Sequence, residues 1–155
     1  MIVSDDMEVE MSVAEVAELL GGPKVLGRSI SSQLIMADAV DHGLPTDSLD
    51  RVKREVGLSD AELGHALGIS LKTIHRLRKD PGRHLSSQAS DRLYRLARLY
   101  KLASDVLEDA GSAREWLRSP QIGLDNRVPM DLMTSEAGSR EVEALLMRIE
   151  YGVIS

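Results

Sequence analysis

The sequence predicts an all-α fold, and three observations carry that reading. Aromatic residues make up only 3% of the 155-residue chain and phenylalanine is absent, so aliphatic side chains must fill the core, which favours helices over a β-sandwich. No stretch alternates apolar and polar residues over the length of a long strand, and no hairpin is evident. Ser-x-x-Glu patterns recur ahead of apolar residues at helical spacing, as they do where a side chain caps a helix start.

Taken in order, a first helix opens at the capping box Ser12 to Glu15, continues through Val16, Ala17, Leu19 and Leu20, and closes at Gly21-Gly22-Pro23. A short extended piece is expected over Lys24 to Ile30. A second helix runs from about Ser32 to Val40 and stops at Asp41 to Pro45. A third spans roughly Asp47 to Val56 and ends at Gly57.

The stretch "LSDAELGHALGISLKTIHRLRKD" follows, and its spacing is that of a helix-turn-helix. Ser59 and Glu62 cap a helix with a buried stripe of Leu63, Ala66 and Leu67. Two steeply crossing helices need a small residue where backbones approach (Gly64), a residue tolerant of left-handed geometry in the turn (Gly68), and apolar locks (Ile69, Ile74, Leu77). Ser70 caps the second helix. Its early positions Leu71, Lys72, Thr73, His75 and Arg76 then face a DNA major groove, with Arg78, Lys79 and Arg83 near enough to reach phosphates. An ordinary helical hairpin that uses glycine is the alternative.

A long amphipathic helix is expected from about Ser86, with Leu93, Leu96, Ala97, Tyr100, Leu102 and Ala103 inward and a break at Gly111. Arg92, Arg95 and Arg98 recur along it and read as a solvated basic face. Ser112 and Glu115 form a further capping box, Trp116 reads as a core anchor, and Pro120 halts that helix. Another extended piece is expected after Gly123. Pro129 to Met133 reads as one or two helical turns, and Thr134 to Gly138 as a break. The last helix begins near Ser139, carries Val142, Leu145, Leu146 and Ile149, and stops at Gly152.

Charge divides the chain at similar places. Residues 1–50 hold two basic and ten acidic side chains, 51–101 twelve and five, and 102–155 five and ten. The divisions expected are an acidic helical N-terminal module over 1–50, a basic DNA-binding region over 51–101, and a C-terminal domain over 102–155. A basic middle suits one module that meets a polyanion; a solvated charged surface is the plain alternative. Without cysteine there are no disulfides, thiolate chemistry or Cys-type zinc sites. The four histidines lack metal-ligand spacing, and no phosphate-cradling glycine loop, nucleophile elbow or working carboxylate pair is apparent. No enzyme, metal or cofactor is therefore expected. The acidic start "MIVSDDMEVE" lacks a secretory pattern, and no apolar run approaches a bilayer span, so no membrane partner and a cytoplasmic location are expected.

Three stretches, "SDRLYRLARLYKLA", "AREWLRSPQIGLDNRVPMDLM" and "GSREVEALLMRIEYGVIS", closely resemble the Xre/MbcA/ParS family of bacterial antitoxins with its C-terminal toxin-binding domain. Within it the chain looks most like Xre-type antitoxins encoded beside toxins of the RES-domain class. The carrying motifs are Ala113-x-x-Trp116-Leu117, Pro129, Gly138 and the closing Arg148 to Val153. One departure stands out: Asn126-Arg127-Val128 precedes the proline where Gly-Gly is more usual, so the contacts of that loop are expected to differ.

The resemblance implies a Cro/CI-like helix-turn-helix and a small helical C-terminal domain that neutralises a cognate RES-domain, NAD-consuming toxin by blocking its active-site entrance. It also implies operator DNA as a second partner, repression of the shared operon, and a homodimer. The toxin-binding residues expected are Arg148, Glu150 and Tyr151 at the end of the last helix, with Gly152 turning Val153, Ile154 and Ser155 outward into a cleft. Packing of Tyr151 and Ile154 back on Trp116 is the alternative. Val16, Leu19, Leu20, Leu34 and Ile35 are candidates for the dimer face or for the core. A plain helix-turn-helix repressor, with a C-terminal domain that only mediates assembly, is the competing function.

Overall fold

A computed structural model describes residues 13–152 and is helical throughout, with only two isolated bridges, Pro45 with His84 and Gln121 with Arg127. Helix α1 is described over residues 13–19, and the expected cap at Ser12 lies outside the described residues. The Lys24 to Ile30 stretch is not extended at its start: α2 (Gly22–Leu26) forms there, with Pro23 in its first turn and Gly27 closing it. Proline's fixed φ is already helical, and its missing N–H is one no first-turn residue uses.

Helix α3 (Gln33–His42) begins at the cap Ser32, whose hydroxyl accepts from the Ile35 N–H, and runs two residues past the expected Val40, to His42, with Gly43 closing it. Helix α4 (Asp47–Val56) has the bounds its sequence predicts. Asp47 and Asp50 lie in its first turn, Lys53 and Arg54 in its last, and Leu49, Val52 and Val56 face inward, so dipole and periodicity agree. The buried Ser48 hydroxyl donates to the Leu20 carbonyl at 2.6 Å, fastening the end of α1 to the start of α4.

Helices α5 (Asp60–Leu67) and α6 (Leu71–Arg78) form the helix-turn-helix. Both halves of the Ser59/Glu62 capping box are present. A Cβ at Gly64 would lie 2.7 Å from the Ile69 carbonyl oxygen, so only glycine lets α5 approach the turn this closely. Gly68, at φ +69°, supplies the left-handed residue between the helices.

Helix α7 (Ser87–Leu107) is the longest element at 21 residues, and α8 (Ala110–Arg118) follows after Glu108, which is left-handed at φ +59°. The break thus precedes Gly111, which sits in the first turn of α8. The cap is Asp109, whose carboxylate accepts from the Ser112 N–H at 2.8 Å and the Ser112 hydroxyl at 2.9 Å. A charged acceptor one turn upstream displaces the expected Ser112 to Glu115 box. Where an extended piece was expected after Gly123 there is a 3-10 turn (Ile122–Leu124) and a single-residue bridge.

Helix α9 (Pro129–Leu132) leads into α10 (Glu136–Glu150), which starts three residues before the expected Ser139. Ser135 caps it, accepting from the Gly138 N–H at 3.0 Å. Gly138 therefore breaks nothing. It lets α10 touch the end of α9, where a Cβ would stand 2.0 Å from the Leu132 carbonyl oxygen.

Buried aliphatic residues from α1 through α10 make one continuous cluster around Tyr100, with Trp116 partly buried against it. Val16 and Leu20, proposed above for core or dimer face, belong to this core at 1% and 0% exposure; Leu19 and Ile35 pack partly against it, and Leu34 alone is exposed. Among the described residues no helix is long and apolar enough to cross a membrane. Gly138→Ala is expected to destabilise the fold by about 1–3 kcal/mol through backbone displacement, lowering the Tm measured by circular dichroism. Gly82→Ala, at a site with open space around it, should leave the Tm unchanged.

Candidate functional site

The Ser70 hydroxyl caps α6 by accepting from the Thr73 N–H at 3.1 Å, and it lies 3.0 Å from the Thr73 hydroxyl. Ile74 and Leu77 bury one side of this helix in the core. That leaves Ser70, Leu71, Lys72, His75, Arg76 and Lys79 exposed, with Thr73 half-buried among them. Lys72, Thr73, His75, Arg76 and Lys79 line one shallow concavity. The arrangement offers a cationic, hydrogen-bonding helix face held rigidly from behind, which is what contact with phosphates and base edges requires. Leu71, 47% exposed, supplies an apolar surface suited to a thymine methyl rather than a hydrogen bond.

Arg78 does not join this face. Its guanidinium donates to Asp50 at 2.9 Å and to Asp60 at 2.7 Å, joining α6 to α4 and α5. Lys53 adds a contact to Asp60 at 3.1 Å, and His75 stands 3.6 Å away. The Arg78 hydrogen bonds and then those of Lys53 hold the Asp60 carboxyl well below the usual carboxylate range, and Asp60 in turn raises the Arg78 guanidinium above its own. Sequence proximity placed Arg78 near phosphates; a carboxylate from each of two neighbouring helices claims it instead.

The row Arg92, Arg95, Arg98 is not a solvated face either. Arg92 donates to the Leu67 carbonyl at the end of α5 (3.1 Å), Arg95 to the Met133 carbonyl after α9 (3.3 Å), and Arg98 pairs with Glu143 on α10 (3.1 Å). Each side chain is half-buried, and each head reaches a neighbouring element. From the other side Arg118 on α8 binds Glu62 at 3.0 Å and the Gly57 carbonyl, while His65 and Asp131 stand 3.4 Å apart. The Arg118 hydrogen bond, with the Ser59 N–H second, keeps Glu62 below its ordinary value. The reading helices and the C-terminal helices are thus cross-linked on two sides.

At the far end, α10 finishes with Arg148 half-buried and Glu150 exposed. Tyr151 is 76% exposed, so it does not pack back on Trp116. Gly152 is left-handed at φ +71°. Val153, Ile154 and Ser155 lie outside the described residues.

Comparison with known proteins divides the chain in two. Residues 36–98 match the profile of the antitoxin Xre-like helix-turn-helix domain, and residues 102–152 that of the antitoxin Xre/MbcA/ParS C-terminal toxin-binding domain. An Antitoxin Xre of Yersinia enterocolitica is 31% identical over 131 residues, covering 84% of this chain and 88% of that one. The chain belongs to the Xre antitoxin family. An Antitoxin Xre of Pseudomonas putida is 34% identical over 85 residues (54% of this chain, 52% of the relative), and one of Photorhabdus laumondii 26% over 117 (75% and 78%).

Sequence reading of this Xre-family chain missed two features that the fold brings forward. One is the carboxylate cluster that removes Arg78 from the reading face; Asp50, Asp60 and Arg78 are too far apart in sequence for periodicity to pair them. The other is Ile122, 86% exposed on the turn between α8 and α9. The departure of that loop from the family's Gly-Gly pattern was its only signal. Among the described residues no cluster of metal-ligating side chains is present.

Two outcomes are expected. Arg76→Ala should leave the Tm unaltered and reduce the salt dependence of DNA binding, log K against log salt, by about one unit of slope; Arg78→Ala should lower the Tm. Asp60 and Glu62 have folded-state values below their unfolded ones, so their stabilisation is complete above about pH 5 and is lost as the pH falls below it towards the folded-state values. Denaturation midpoints should drop over that range, and Asp60→Asn should flatten the drop.

Proposed function

We propose that this chain is the antitoxin of a type II toxin–antitoxin pair. It binds and inhibits a RES-domain, NAD-degrading toxin by occluding the active site with its C-terminal region, and it represses its own operon by binding operator DNA as a homodimer. The observation that carries the reading is the match of residues 102–152 to a toxin-binding domain, sharing one hydrophobic core with a helix-turn-helix whose cationic face is open.

The chemistry of the two ends supports the division of labour. The C-terminal segment is acidic and carries an exposed aromatic, Tyr151, directly after its last helix. A cleft that receives a phosphate-rich dinucleotide is basic, and an acidic tip with apolar anchors is complementary to it. Arg148, Glu150, Tyr151 and Gly152 form the base of the plug, and Val153, Ile154 and Ser155 continue it. On the opposite function, one recognition helix reads one half-site, and two-fold symmetry supplies the second. Of the five dimer candidates, Leu34 keeps its side chain in solvent at 80% exposure.

Co-purification with the product of the adjacent open reading frame, followed by an NAD-consumption assay before and after stripping the antitoxin, tests the reading. A complex that is inactive until stripped is expected. Removal of Gly152 to Ser155 should abolish neutralisation while leaving the fold and DNA binding intact; full silencing by the truncated chain would refute the plug. Absence of any complex would leave a plain DNA-binding repressor.

A further inference from the structure

Ile122 carries the most exposed large apolar side chain among the described residues, 86% in solvent, on a turn held by several hydrogen bonds. Its neighbour Leu124 is buried, which fixes the turn to the core. The Gln121 side-chain amide donates to the Trp116 and Ser119 carbonyls at 3.0 and 3.1 Å, and the Gln121 N–H donates to the Arg127 carbonyl at 3.1 Å. Gly123 lies so close to α10 that a Cβ there would stand 2.6 Å from the Leu145 side chain. Asp125 and Asn126 are both left-handed, at φ +56° and +61°, a conformation these two residue types tolerate better than other side chains, and the Arg127 N–H closes the turn on the Leu124 carbonyl at 3.1 Å.

The turn is fixed to the core through Leu124, yet it holds the Ile122 side chain in water. The loop lies inside the segment matched to a toxin-binding domain, and its rim is polar: Asp125, Asn126 and Arg127 are exposed around the single aliphatic side chain. An apolar anchor in a polar rim, immobilised before contact, is the composition of an interface hot spot whose ordering entropy has been met in advance.

We infer that Ile122 is a second toxin-binding anchor, separate from the C-terminal tail, which seats in an apolar pocket on the toxin surface and helps determine which toxin is recognised. The inference rests on the proposed function. Leu145, against which the turn packs, precedes Tyr151 by about 9 Å along the helix axis and stands about 120° from it around the helix, so the two anchors meet different parts of the partner surface.

The test uses the full chain and the purified product of the adjacent gene, with affinity measured by biolayer interferometry and self-association by sedimentation velocity. Ile122→Asp is expected to weaken binding by about a hundredfold and Ile122→Ala by about tenfold or more. Ile122→Leu should remain within about threefold of the parent, and Tm, operator binding and sedimentation should be unchanged in all three. Equal affinity of the parent and Ile122→Asp would overturn the anchor while leaving the antitoxin function standing. A changed sedimentation coefficient without toxin would also overturn it, assigning Ile122 to self-association. Failure of the parent chain itself to bind would overturn the antitoxin reading, and the anchor with it.

Discussion

Burial of one half of helix α7 is the constraint on which the remainder of this protein depends. At 100° per residue its buried side chains, Ala89, Ser90, Leu93, Leu96, Ala97, Leu99, Tyr100 and Ala103, cover about half the circumference. That is too wide for a single partner helix. Helices α3, α4 and α5 pack against it on the DNA-reading side, and α8 and α10 on the other, so neither half of the molecule owns a complete core. Arg92, Arg95 and Arg98 step round the helix by about 60° each, the first within this buried half, the second just outside it and the third opposite, and they reach Leu67, Met133 and Glu143 in turn. Their hydrogen bonds fix orientation, while the aliphatic contacts supply most of the stabilisation.

Cationic side chains consequently fall into two populations that look alike in composition. Arg78, Arg92, Arg95, Arg98 and Arg118 hold helices together, each through a carboxylate or a carbonyl of another element. Lys72, Arg76 and Lys79 have no such partner among the described residues and are left to face an external polyanion. Guanidinium suits the first role because its planar fork satisfies several acceptors at once, and an exposed mixture of ammonium and guanidinium groups suits the second.

What the sequence made legible was what depends on neighbours along the chain. The bounds of α4, the capping box at Ser59 and Glu62, and the roles of Gly64 and Gly68 follow from local periodicity, capping and backbone sterics. Gly111 and Gly138 were misread because glycine serves two ends: it stops helices, and it lets backbones meet. Only the position of the Leu132 carbonyl distinguishes these at Gly138. The reassignment of Arg78 and the bracing role of the arginine row are non-local for the same reason, as is the projection of Ile122. At the candidate site the exposure of one face of α6 was legible almost residue by residue, whereas the loop at Ile122 announced itself only as a departure from a pattern.

The two matched domains meet between residues 98 and 102, and both positions lie within the continuous helix α7. No flexible linker separates the module that reads DNA from the module that meets a protein. Each residue inserted or deleted at that seam would turn one module about 100° relative to the other and shift it about 1.5 Å. Divergence by substitution is therefore open to every surface of the molecule, but the helical phase across this junction is inherited as a fixed length. Exchange of C-terminal halves between lineages conserves geometry only where that count is kept.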